Sequence, residues 1–388
     1  MRIFSNPASQ IDDPPLRRAY ELAERYRGRT SPNPLVGCVI VRDGVVVGEG
    51  FHTHAGAPHA EAMALAEAGI GAVGSTAYMT LEPCNHEGRT PPCATALVEA
   101  GVTEVVIGMP DPNPAVAGDG AETLRAAGVF VRFADDPTPF EILNEAWVKS
   151  VVQGVPFVQG KIALSIDGHA GLRPSERARL TGEAMVSLTM RLRDAADAVV
   201  VGAGTLRVDD PSLTVRDQHD SPEQRQPLRV VVCKTSLPSP DARIFTDGLG
   251  PALALVSDGI HVRVLDRVRS SGVTVRTYPS REGVHGVLRI LGELDCVRVL
   301  VEPGPGLFGA CWDAGIFDEL LIAHAGGIAG SGAPHLGGFG AGSARDLPRT
   351  MRAMEAGVVG EDALTVWRPI PATSGTIGPT GASEDSDG

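Results

Sequence analysis

Two spacings of apolar residues alternate along the chain. LRRAYELAERYR, from about Leu16 to Arg27, spaces them as an amphipathic helix does. PNPLVGCVIVRDGVVVGEGF then gives two β-branched runs around Asp43-Gly44, the pattern of a β-hairpin. HAEAMALAEAG predicts a helix stopped by Gly69, TAYMTLE a strand, CATALVEAG a helix closed by Gly101, and VTEVVIGM a strand. AETLRAAG and VFVRF repeat helix then strand. PTPFEILNEAWVKSVVQG adds one more helix, and Gly154-Val155-Pro156 interrupts the pattern.

After that break the alternation restarts. FVQGKIALS reads as a strand, EAMVSLTMRLRDAA as a helix, and DAVVVGAG, RVVVC and ALALVS as strands. VRVLVEPG (strand), GPGLFGACWDAG (a helix opened by glycines) and ELLIAHAG (strand) continue it. Alternation of this kind predicts sheets covered by helices, an α/β class. A length of 388 residues suits two such units, since domains usually hold about 100–200 residues. The expected division is 1–154, 155–371 and, from its small, polar and acidic residues, a disordered tail over 372–388.

Composition narrows the function classes. Aromatic residues make up only 4% of the chain, so the cores rest on Val, Leu, Ile and Ala. A formal charge of −13 and the few aromatics available for base stacking argue against a nucleic-acid partner, leaving room for a local basic pocket for one phosphate. The N-terminus, MRIFSNPASQIDDPP, lacks the apolar core of a secretory signal, and no run reaches the ~18–20 apolar residues of a membrane span. Six cysteines in so long a chain do not form a disulfide scaffold, and Cys38, Cys233, Cys296 and Cys311 read as core residues. A cytoplasmic protein with no membrane partner is expected.

The remaining two cysteines carry chemistry. A catalytic zinc keeps three protein ligands and leaves a fourth position open for water. His59, Cys84 and Cys93 make such a set, with Pro91-Pro92 before Cys93 suiting a helix entry that favours a thiolate. Glu61, two residues after His59, is placed to move protons beside the metal. The zinc deaminases read H-x-E…P-C-x-x-C, with the glutamate as acid and base and not a ligand. His59-Ala60-Glu61 and Pro83-Cys84 match, while eight residues separate the two cysteines here. A structural zinc, or a histidine near two unrelated core cysteines, is the plainer reading; a structural site needs a fourth ligand, for which only His86 and His54 lie near.

The loop TLEPCNHEGRTPPC, with HAEAMAL before it and DPNPAVAGDG after it, closely resembles the bifunctional riboflavin-biosynthesis deaminase–reductases. SPNPLVGCVIV and GEGFHTHAGAPHAE fit the same family. The resemblance implies a cytidine-deaminase-like three-layer N-terminal domain in which His59, Cys84 and Cys93 bind Zn2+ and Glu61 shuttles protons. Its substrate would be a small-molecule pyrimidine ribosyl phosphate, 2,5-diamino-6-ribosylamino-4(3H)-pyrimidinone 5′-phosphate. Within the loop, His86, Arg89 and Thr90 are expected to bind the ribose phosphate beside the zinc.

KIALSIDGHAG, VVVGAGTLRVDDPSLTVR and VEPGPGLFGA carry the resemblance into the second half, so that it covers about Pro15 to Pro369. It implies a dihydrofolate-reductase-like α/β domain that uses NADPH to reduce the ribosyl group to ribityl. Ala163, Thr205, Asp209 and the run Gly304, Pro305, Gly306, Leu307, Phe308, Gly309 and Ala310 would be its cofactor contacts. Arg193, Leu213, Arg216 and Glu302 would be its substrate contacts, an arginine pair suiting a phosphate. Glycines opening a helix after a strand fit a phosphate-binding backbone. A homo-oligomer, dimer or tetramer, is also expected. One segment departs: Pro-Ser-Glu-Arg-Ala-Arg-Leu-Thr (Pro174 to Thr181) stands where the family reads Gly-Glu-Ser-Gln-Trp-Ile-Thr. Arg177 thus replaces a substrate-contacting serine and Arg179 a cofactor-contacting tryptophan. Either the arginines take over phosphate contacts, or the reductase is altered or lost.

Overall fold

A computed structural model describes residues 3–85, 92–113, 119–171, 179–235, 238–260, 269–331, 333–334, 336 and 350–370. The expected acidic tail lies outside the described residues. Among the described residues there are two sheets. The first comprises β1 (Gly37–Arg42), β2 (Val45–Phe51), β3 (Thr76–Met79), β4 (Glu104–Ile107) and β5 (Phe130–Phe133), in the order β2-β1-β3-β4-β5. β1 and β2 are the expected hairpin, and β3, β4 and β5 run parallel.

Strand alternation sends side chains to opposite faces of this sheet. Cys38, Ile40, Ala77, Met79, Val105 and Ile107 meet α2 (Ala60–Ala68), α3 (Cys93–Glu99) and α4 (Asp119–Ala126). Val39 points the other way, onto Ala19 and Leu22 of α1 (Pro14–Glu24). With α5 (Thr138–Gln153) beside α1, packed through Tyr20, Phe140 and Leu143, the unit has three layers. The first helix begins at Pro14, two residues before the apolar pattern, because Asp13 caps it by accepting from the Leu16 N–H at 3.3 Å. Gly50 sets how closely α2 lies on β2: a Cβ there would stand 1.9 Å from the Ala60 carbonyl oxygen.

The second sheet has nine strands. β6 (Phe157–Ser165), β7 (Ala198–Gly202), β8 (Leu228–Cys233), β9 (Ala252–Ser257), β10 (Val275–Tyr278), β11 (Arg298–Val301) and β12 (Glu319–Ala325) are parallel. The hairpin β13 (Met351–Val359) and β14 (Asp362–Pro369) adds to β12 antiparallel, giving the order β10-β9-β8-β7-β11-β6-β12-β14-β13. The helices α6 (Glu183–Asp194), α7 (Ala203–Asp209), α8 (Arg243–Thr246), α9 (Val284–Glu293) and α10 (Pro305–Asp313) accompany it. α7, α8, α9, β10 and the β13–β14 hairpin were not among the expected elements, and the expected strand DAVVVGAG ends at Gly202, where α7 begins. The four cysteines read as core are buried.

α5 joins the halves as part of both. Its Trp147 packs with Phe157 of β6 and Val297, just before β11, as well as with the first-sheet core. Glu145 bonds Arg298 at 3.2 Å and Arg368 at 2.6 Å, and Arg368 also holds Glu319. Lys149 bonds Asp318 at 2.6 Å. Breaking such a buried charge network by removing one partner costs about 3–5 kcal/mol, so the two halves resist separation.

Candidate active sites

In parallel α/β sheets, ligands bind beyond the carboxyl ends of the strands. The chain leaving β3 turns there and presents Cys84, and the first residue of α3 is Cys93. His59 is the N-cap of α2, with Glu61 in its first turn. The ligand atoms of His59, Cys84 and Cys93 lie within 4.8 Å of one another. His59 Nδ1 is 3.2 Å from Cys93 Sγ and 3.6 Å from Cys84 Sγ. Tetrahedral zinc, with bonds of ~2.0–2.1 Å to nitrogen and ~2.3 Å to sulfur, places such atoms about 3.6 Å apart. The donor set therefore fits zinc in spacing and in chemistry.

Electrostatics agree with that fit. Cys84 is held as the thiolate, its pKa lowered to about 4, first by the hydrogen bond from the Cys93 thiol and then by His59 and the Cys93 N–H, against burial. That N–H donates to Cys84 Sγ at 3.4 Å. Cys93, raised by its bond to Cys84 and by burial, holds the proton of the pair, which zinc binding would displace. Glu61 is only 3% exposed, and burial raises its carboxyl above the ordinary range, the direction a proton carrier needs.

Sequence reasoning missed two neighbours. His52 is buried edge-on to the His59 ring, with centroids 6.0 Å apart. Its Nδ1 faces the Pro58 carbonyl at 3.1 Å, which can only accept, and burial lowers its pKa and keeps the ring neutral. Its Nε2 must then accept from the Asn33 amide N–H at 3.0 Å. Asn33 Oδ1 makes no hydrogen bond among the described residues. The signal was legible in SPNP and GFHTH, which hold an amide and an imidazole shortly before the H-x-E motif. His86, Arg89 and Thr90 lie outside the described residues.

The second cluster sits at the carboxyl ends of β7 and β11. Gly202 precedes α7 and Gly304 caps α10, and a Cβ on Gly304 would stand 2.8 Å from Thr205 Oγ1. Thr205 and the start of the 304–310 run thus meet, forming a cradle that a side chain at 304 would fill and that suits a cofactor phosphate. Asp209 closes α7. Phe308 buries its ring against Trp312 and Phe317, so only its backbone is available to a cofactor.

The four expected substrate contacts also converge. Arg193, at the end of α6, donates Nε and Nη2 to the two carboxylate oxygens of Glu302 at 2.6 and 2.8 Å. Its Nη1 bonds the Thr214 carbonyl at 2.9 Å. Arg216 reaches Thr214 Oγ1 at 3.1 Å and pairs with Asp220, while Leu213 is buried at a φ of 56°. Burial alone would raise Glu302, but Arg193 outweighs it and holds the carboxyl below the ordinary range. Lys161, unassigned by sequence, is lowered by burial against the pull of Glu302. Ala163 follows it on the same face of β6. Arg179 is exposed, and Arg177 lies outside the described residues.

Comparison with known proteins agrees on both halves. Residues 10–109 match the cytidine and deoxycytidylate deaminase zinc-binding region, and residues 156–365 match the RibD C-terminal domain. The chain is 40% identical over 332 residues to the riboflavin biosynthesis protein RibD of Escherichia coli (strain K12), covering 82% of this chain and 88% of that one. It is 39% identical over 338 residues to RibD of Bacillus amyloliquefaciens, covering 86% and 90%. The structure of Acinetobacter baumannii RibD, form 1, superposes with a TM-score of 0.83 at 33% identity, covering 92% of this chain and 98% of that one. A Thermotoga maritima diaminohydroxyphosphoribosylaminopyrimidine deaminase/5-amino-6-(5-phosphoribosylamino)uracil reductase superposes with a TM-score of 0.80 at 31% identity, covering 92% and 98%. The chain belongs to the RibD family of riboflavin biosynthesis, whose members join a zinc-dependent deaminase to an NADPH-dependent reductase.

Proposed function

We propose that residues 1–154 perform the deamination of 2,5-diamino-6-ribosylamino-4(3H)-pyrimidinone 5′-phosphate and residues 155–371 the reduction that follows. The observation that carries the first half is the convergence of His59, Cys84 and Cys93 beside the buried Glu61. Those three residues would hold the zinc, which when bound brings the pKa of water to about 7. Glu61 takes a proton from the attacking water on its carboxylate and delivers it to the departing amino group. Water and the aminopyrimidine thereby give the oxo product and ammonia. Asn33 Oδ1, fixed by His52, accepts from a substrate donor. His86, Arg89 and Thr90 are proposed for the ribose phosphate.

In the reductase half, Thr205, Asp209, Ala163 and Gly304–Ala310 would hold NADPH, which supplies the hydride when bound. Glu302, Leu213 and Arg216 are assigned to substrate, with Arg193 fixing the Glu302 carboxylate. Among the described residues no helix is long and apolar enough to cross a membrane. Free cysteines throughout support a reducing compartment such as the cytoplasm. Among the described residues β13 is the last strand of its sheet, and its Val358 is 72% exposed, which supports a homo-oligomer.

The test is incubation with the diaminopyrimidinone phosphate, with and without NADPH, following both products. Without NADPH the reaction should stop at 5-amino-6-(5-phosphoribosylamino)uracil. Glu61→Gln should lower deamination about 100- to 10,000-fold while keeping the zinc. Unchanged turnover in that variant removes Glu61 from its role.

A further inference from the structure

We infer that the second domain builds one wall of the first domain's active site: Asp194 and Asp197, at the end of α6 and just beyond it, position the Arg29–Asn33 segment of the deaminase. This deepens the proposed deaminase reading and rests on Asn33 facing the substrate.

The segment is anchored from outside its own domain. Arg29 donates from Nη1 and Nη2 to the two carboxylate oxygens of Asp194 at 2.9 and 3.1 Å. Ser31 Oγ donates to Asp197 Oδ2 at 3.0 Å. At the near end, a Cβ on Gly28 would stand 2.4 Å from the Asp194 carbonyl oxygen, so the backbones touch there. Asp197 is itself immobilised, because the same Oδ2 accepts the N–H groups of Val297 and Arg298 at 2.8 Å each. Arg225 ties down this corner by donating to the carbonyls of Asp194 and Ala196 at 2.7 and 3.1 Å.

From these anchors to the chemistry is two residues. Asn33 N–H bonds the Thr30 carbonyl at 2.9 Å, closing a turn that follows the anchored Arg29 and contains the anchored Ser31. The Asn33 side chain then meets His52, which lies against the zinc ligand His59. On the far side, the first domain holds the segment through Asn144, which exchanges two hydrogen bonds with the Leu35 backbone at 2.8 and 3.0 Å. The turn carrying Asn33 is thus held from α5 at one end and from the reductase domain at the other. Loss of the second hold leaves zinc and Glu61 in place and frees the substrate-facing amide. The expected defect is in substrate binding, not in the metal or the proton transfer.

The test is a double-mutant cycle between Arg29→Ala and Asp194→Ala, with Ser31→Ala added to the first, in the full-length enzyme. Deaminase KM, deaminase kcat and zinc content are measured, with reductase turnover on supplied 5-amino-6-(5-phosphoribosylamino)uracil as the control. R29A/S31A should raise the deaminase KM about tenfold with zinc retained, kcat within about twofold and reductase turnover unchanged. D194A should raise the same KM, and combined with R29A should add nothing further. A deaminase KM within about twofold of the parent in these variants overturns the inference, as does a fall in zinc and kcat at unchanged KM. Failure of the parent to deaminate the substrate at all would instead strike the proposed function.

Discussion

Arg193→Ala separates two roles for the arginine that the reductase cleft places beside Glu302. As a phosphate ligand, Arg193 should have a guanidinium edge to offer. Here Nε and Nη2 are spent on Glu302 and Nη1 on the Thr214 carbonyl, and its side chain is 13% exposed against 19% for Glu302. At an effective dielectric of ~20 and a charge separation of ~4 Å, the attraction is about 4 kcal/mol. Removing one partner leaves a shielded carboxylate, so the expected loss of stability is about 3–5 kcal/mol at pH 7. The sign of the pH dependence follows from the direction of the Glu302 shift. In the parent its folded pKa is depressed, so its stabilisation is present above the unfolded carboxylate value and is lost as pH falls through the folded value. Without Arg193, burial, the largest influence, is opposed only by the weaker pull of Lys161, so the pKa is expected to rise above the unfolded value and the folded variant to take up a proton first. The gap between parent and variant should therefore narrow as pH falls from 7 toward 5. Urea unfolding across that range measures it. A variant as stable as the parent, with only a raised KM for the phosphorylated reductase substrate, would refute the reasoning and restore the phosphate role.

Other outcomes follow from the same geometry. Stripping the metal with a chelator should stop deamination while NADPH oxidation with supplied 5-amino-6-(5-phosphoribosylamino)uracil continues at the parent rate; parallel loss of both activities would show that the metal supports the whole fold. Gly50→Ala should lower zinc occupancy and deaminase kcat together, because the added methyl would collide with the Ala60 carbonyl and push the first turn of α2, with His59 and Glu61, off the sheet. Zinc titration and turnover of that variant check it, and parent-like values for both would mean that α2 shifts as a whole without disturbing the site.

Much of the fold was legible because its buried strands are nearly continuous apolar runs. FVQGKIALS and ALALVS begin and end as β6 and β9 do. β13 escaped because its side chains are mostly half-exposed or exposed, leaving no apolar alternation to read. β10, four residues at the sheet edge, is too short to show a period. The deaminase ligands were legible for a different reason. Thiolate, imidazole and carboxylate at those spacings have few other uses, and the chain needed only to bring them together.

The reductase residues show where such reading stops. Arg193 as an arginine suggested a phosphate, since nothing in the sequence revealed that Glu302, over a hundred residues later, occupies its fork. Lys161 lay in an apolar strand and drew no attention, yet it faces the same carboxylate. Asp194 and Asp197 are harder still. In RDAADAVV they look like solvated residues between a helix and a strand, and their partners, Arg29 and Ser31, belong to the other domain. Motif spacing records what a site holds, whereas the contacts that aim it cross between domains and become visible only when both are folded against α5. For the same reason, excising residues 1–154 should preserve the zinc motif but leave Asn33 held from one side only.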